Sequence, residues 1–141
     1  MAVTAPDVTA EIARQRPALC GLLGALVRTD TTNPPGDTRR AVDLVASRLR
    51  SAGVDVQILA DEPKKPNLLL RLGSGRPELL LLTHLDTVPP GDPGAWRHPP
   101  FGAQLVGTRL YGLGAGDPKG CAAAMVVAVE TLARPDRKSV V

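Results

Sequence analysis

The sequence is poor in aromatics, cysteine and histidine. Aromatic residues are 2% of its 141 positions, with two cysteines and two histidines. Two cysteines make neither a disulfide framework nor a zinc knuckle. Cys20 and Cys121 are both expected in helices, as small apolar fillers. Long hydrophobic runs are also missing. The longest, residues 121–129, falls far short of the roughly 20 residues that span a bilayer, so no membrane partner is expected. Asp7 and Glu11 stand where a signal peptide would carry an apolar stretch, which argues for a cytoplasmic protein. Clustered charge is absent too. The net charge is +3, and Arg14, Arg39, Arg71, Lys119 and Lys138 fall in different elements. A nucleic-acid binder would show a basic face with aromatic stacking platforms, so no nucleic acid is expected.

What the chain does have is aliphatic bulk. It is 43% hydrophobic and 22% charged, enough for one domain with a core. The few aromatics are concentrated: Trp96, Phe101 and Tyr111 lie within sixteen consecutive residues. Either this is a local packing cluster or it is a shaped wall beside a site.

Periodicity gives an α/β pattern with helices packed on a sheet. One helix is expected from near Thr9 and a second from near Pro17, with Leu19, Leu22, Leu23 and Leu26 at helical spacing. Residues 31–36 read as loop because of two prolines and a glycine. A helix over 38–52 carries the stripe Ala41, Val42, Val45, Leu49 and Ala52, and Gly53 stops it. Strands are expected over 54–60, with Val56 and Ile58 facing one way, and over 67–72. Residues 79–82 are four leucines and read as a central strand covered on both faces. Residues 104–111 form a hairpin around Gly107 and Thr108. The last helix starts after Asp117, with Ala122, Met125, Val126, Val129 and Leu132 on its apolar face and Glu130 paired to Arg134.

Chemistry can sit where the leucine strand ends. Ligands in α/β sheets bind outside the carboxyl ends of strands, and here the strand runs into Thr83-His84-Leu85-Asp86. His84 and Asp86 are two apart, so extended backbone points both to one side. An imidazole and a carboxylate so placed can both ligate a divalent metal, or the carboxylate can hold the ring from behind. An ordinary hydrogen-bonded strand-end histidine fits the same pattern. A second piece is the run from Gly112 to Gly120, with three glycines at alternate positions and Asp117 at the mouth of a helix. Asp117 could be an N-cap with Pro118 in the first turn. A dinucleotide loop fails, because a carboxylate stands where the third glycine should be.

Taken together, Thr83-His84-Leu85-Asp86-Thr87-Val88-Pro89, Trp96 with Pro100-Phe101, Leu110-Tyr111-Gly112 and Gly114-Ala115-Gly116-Asp117-Pro118-Lys119-Gly120 closely resemble the M20 metallopeptidase family. That family includes acetylornithine deacetylase, succinyl-diaminopimelate desuccinylase, aminoacylase and glutamate carboxypeptidase. The Asn33-Pro34-Pro35-Gly36 loop resembles its N-terminal region. The resemblance implies the N-terminal part of a three-layer α/β/α zinc-peptidase catalytic domain over residues 1–141, with an incomplete sheet and no lid or dimerisation domain. It implies that His84 ligates one zinc, that Asp117 bridges two, and that Asp86 is the catalytic aspartate that orients the centre. It implies two Zn2+ ions in the intact enzyme, with Co2+ able to substitute. The substrate would be an N-acyl amino acid or a peptide, hydrolysed at an amide bond by a metal-held water. The intact form would be a homodimer in some members.

Two positions depart from the family. Leu113 replaces its usual arginine. Pro118 follows the aspartate, where the family carries a cis peptide and usually not proline. Proline lowers the cost of cis to under about 1 kcal/mol, so Asp117-Pro118 is expected to be cis, with the N-capping trans form as its rival. The donor set is also short. After Asp117 only Glu130 and Asp136 are acidic, and His98 reads as a loop residue. Zinc sites want three or four protein ligands. The chain alone is therefore expected to bind metal weakly and to be inactive. The alternative is a non-catalytic truncated remnant that at most binds metal or a partner. Residues 136–141 read as a translated sequencing adapter, which would make the end a truncation.

Overall fold

In the computed structural model, residues 5–74 and 79–133 are described. Three helices and two small antiparallel sheets follow one another: α1 (Ala5–Arg28), α2 (Arg39–Ser51), β1 (Gln57–Leu59), β2 (Asn67–Leu69), β3 (Gln104–Val106), β4 (Arg109–Tyr111) and α3 (Lys119–Ala133). One turn of 3-10 helix, Pro93–Ala95, precedes Trp96.

The expected break near Pro17 does not occur. Proline removes one backbone donor and crowds the preceding turn, yet α1 runs through Pro17 as one helix. Its far half is anchored by Leu22, Leu23, Leu26 and Val27, all buried. That burial outweighs the lost hydrogen bond, because each large aliphatic taken from water is worth about 1.5–3 kcal/mol.

Helix α2 follows its stripe. Ala41, Val42, Val45, Ala46 and Leu49 are buried, while Ala52 is exposed. Its end is a Schellman motif. Gly53 takes a positive φ of 74°, its N–H donates to the Arg50 carbonyl at 2.9 Å, and the Val54 N–H donates to that of Leu49 at 3.0 Å. Glycine adopts that left-handed geometry without a Cβ clash. The turn drops Val54 and Val56 into the core, whereas Ile58 is 38% exposed.

Helix α3 packs chiefly on α1 and also touches α2. Its buried face is Ala122, Ala123, Val126, Val127 and Ala133, so the seam lies one position off the expected stripe and leaves Leu132 46% exposed. Glu130 has a partner that its helix alone does not suggest. It accepts two hydrogen bonds from Arg48 of α2, at 2.5 and 2.8 Å, and so joins two helices. Its expected partner Arg134 and residues 136–141 lie outside the described residues. Cys121 is exposed and Cys20 partly so, so neither is a fully buried filler.

The largest correction concerns residues 79–82, which form no strand. Leu79, Leu80 and Leu82 are 81–84% exposed and Leu81 is 45% exposed. A central strand exists only by pairing along both edges, and no described strand pairs with this one. The two observed sheets are β1 with β2 and β3 with β4. The β3–β4 hairpin turns at Gly107, φ +60°, where the sequence places it. No helix among the described residues is long and apolar enough to cross a membrane.

Candidate metal site

Past the leucines the chain is tied down. Thr87 bridges Thr32 in parallel. Its N–H donates to the Thr31 carbonyl at 3.1 Å, and the Asn33 N–H donates to the Thr87 carbonyl at 2.8 Å. The Thr31 hydroxyl, nearly fully buried, donates to the Leu85 carbonyl at 2.8 Å. These bonds hold residues 85–87 against the loop after α1. They do so across more than fifty residues of sequence.

On that support His84 and Asp86 face each other. Nδ1 of His84 is 2.9 Å from Oδ1 of Asp86, and Oδ2 of Asp86 accepts from Nδ2 of Asn33 at 2.9 Å. The hydrogen bond from Asn33, with that of His84 behind it, holds the Asp86 carboxyl below its ordinary pKa. At neutral pH it is thus an acceptor only. The His84 ring then carries a proton on Nδ1, and in its neutral form the Nε2 lone pair is the one turned outward. That is the tautomer a metal needs, with a carboxylate behind the ring. His84 is 64% exposed through its side chain, so Nε2 is open to solvent.

The loop 112–118 lies beside this segment. A Cβ on Gly114 would sit 2.8 Å from Cγ2 of Thr87, and one on Gly112 would sit 2.3 Å from Cγ1 of Val27. Glycine alone allows both approaches. Lys119 fastens the loop from the other side. It is fully buried, and its Nζ donates to the Thr29 carbonyl at 2.8 Å. Burial, partly offset by Asp30, pushes its pKa down. The Asp117-Pro118 peptide is cis, as expected. Asp117 is exposed, and its carboxylate makes no hydrogen bond or ion pair among the described residues. It therefore does not cap α3. Leu113 is 8% exposed, so an aliphatic side chain is buried where the family's arginine would stand.

The donors at hand are the outward imidazole of His84 and the free carboxylate of Asp117. Both are of the type zinc takes. They are too few: among the described residues no group of three or more His, Cys, Asp or Glu could hold a metal ion. Glu130 is spent on Arg48. His98 lies in a loop, 2.7 Å from Gln104 through Nδ1 and with its ring 4.4 Å from that of Tyr111. Trp96, His98 and Tyr111 line a cleft of about 420 Å3 that includes neither His84, Asp86, Asp117 nor Phe101. That wall of aromatics holds none of these donors. Sequence reasoning missed Asn33 and Lys119 as parts of the site. The signals were an amide before Pro34-Pro35-Gly36 and a lysine opening an otherwise apolar helix.

Residues 80–141 match the model of peptidase family M20/M25/M40. Over that segment the chain is similar to the M20 peptidases. It is 39% identical over 121 residues to a succinyl-diaminopimelate desuccinylase of Xanthobacter autotrophicus, covering 84% of this chain and 32% of that protein. It is 42% identical over 117 residues to one of Methylobacterium radiotolerans, covering 80% and 29%. A third, from Methylorubrum extorquens, is 40% identical over 120 residues, covering 82% and 30%. The chain thus spans about a third of the length of these relatives. The described residues are a mix of helices and small antiparallel sheets, consistent with part of an α/β domain.

Proposed function

We propose that this chain supplies one part of the binuclear zinc centre of an amide hydrolase, with His84 and Asp117 as ligands and Asp86 as the residue that sets the His84 ring. The observation that carries this reading is the 2.9 Å contact from Asp86 to Nδ1 of His84, which leaves Nε2 facing out. The relatives' name points to a succinylated amino acid as substrate, with cleavage of its amide bond. The same proposal includes a three-layer α/β/α domain, a cytoplasmic setting and, for the whole protein, a homodimer.

The metal does not fit the described residues as a complete site. Two donors fall short of the three or four that zinc needs, so completing the shell takes residues beyond these. Beside the two ligands, His84 and Asp117, this chain supplies positioning groups. Asp86 fixes the tautomer of His84, while Gly114 lets the Asp117 loop close on Thr87 and Gly112 lets it close on Val27.

The test is to purify the 141-residue chain and assay release of succinate from an N-succinyl amino acid with Zn2+ or Co2+. No turnover is expected from this chain. Robust turnover would show that the ligand count is wrong.

A further inference from the structure

We infer that Asn33 is a positioning residue, which locks Asp86 and through it holds His84 in the metal-ready tautomer. This rests on the metal reading above and adds to it a residue from a different part of the chain.

The geometry is specific. The backbone of Asn33 is fixed by its N–H bond to the Thr87 carbonyl, one residue from Asp86. Its side chain then reaches Oδ2 of Asp86 at 2.9 Å, while Oδ1 takes His84. Each carboxylate oxygen has its own donor, so the carboxylate cannot swing without breaking one bond. The turn after Asn33 is shaped to allow this. Gly36 has φ +73°, its N–H donates to the Thr32 carbonyl at 2.8 Å, and a Cβ there would come within 3.0 Å of Cγ of Asn33. The rival is water. The Asp86 side chain is 33% exposed, and a water could replace the amide.

Long-range 1H–15N spectra of the two histidines decide between them, on the metal-free chain at mildly alkaline pH. His84 should show a protonated Nδ1 and a bare Nε2. In Asn33→Leu its ring 15N shifts should move at least halfway toward the Nε2–H form that an unconstrained histidine side chain prefers. His98, held by Gln104, should not move. An unchanged His84 in a folded Asn33→Leu chain overturns the inference. If that variant does not fold, the unmodified chain still answers. One Nδ2 proton of Asn33 should be shifted downfield and slow to exchange. Two equivalent, fast-exchanging protons overturn the inference. In the same variant Co2+ affinity should fall about tenfold, the low end for groups behind a ligand. Because the tautomer is read without metal, its failure rejects Asn33, whereas a chain that binds no Co2+ rejects the metal reading.

Discussion

Glu130→Gln separates structure from chemistry, because Glu130 is the one carboxylate after Asp117 among the described residues. It sits on α3 and holds Arg48 of α2 through two bonds of 2.5 and 2.8 Å. The Glu130 side chain is 15% exposed and that of Arg48 27%. A fully exposed pair is worth about 0–1 kcal/mol, and removing one partner of a buried pair costs about 3–5 kcal/mol. This pair lies between the two, so Glu130→Gln should cost about 2 kcal/mol. Arg48 keeps its 3.3 Å bond to the Ala18 carbonyl and at most one bond to the new amide oxygen, neither of which neutralises the guanidinium. Urea unfolding followed by far-UV circular dichroism reads the loss, and a cycle with Arg48→Met isolates the coupling. Co2+ binding should be unchanged. A loss below about 0.5 kcal/mol, the range of an ordinary surface change, would refute the structural role. A loss of metal affinity would refute the assignment of Glu130 outside the centre.

Leu26→Ala removes a fully buried side chain from the seam between α1 and its neighbours, and should cost about 2–5 kcal/mol in the same unfolding experiment. Gly112→Ala places a methyl 2.3 Å from Val27; the loop must shift, and the amide resonances of residues 112–117 should move more than those of α2. Asp37 is held at about 2 by the Arg39 guanidinium, against 3.8 for the free group. A depressed carboxyl stabilises above its unfolded pKa and loses that contribution as pH falls through the folded value. Acid titration of stability between 3.8 and about 2 should therefore be shallower in Asp37→Asn.

Local order was legible in the sequence where it is locally caused. The α2 stripe, the Gly53 stop and the Gly107 turn each depend on residues within one turn of one another, and all three appear. The cis peptide at Asp117-Pro118 was legible through family resemblance. Residues 79–82 were misread because four leucines state only an appetite for burial, and pairing depends on strands elsewhere. Pro17 was misread because tertiary burial of Leu22, Leu23 and Leu26 overrode a local breaker. The Glu130–Arg48 pair was not foreseen because Arg48 lies 82 residues away. The His84–Asp86 pair followed from strand alternation, but Asn33 did not, since nothing local ties position 33 to position 86.

The most direct measurement is a Co2+ titration of the chain, followed by its visible absorption, beside His84→Ala and Asp117→Ala. Weak binding is expected in the parent chain and should be lost in both variants, since both side chains serve one centre. Binding that survives either substitution would mean the two residues do not share a metal, and the hydrolase reading would fail.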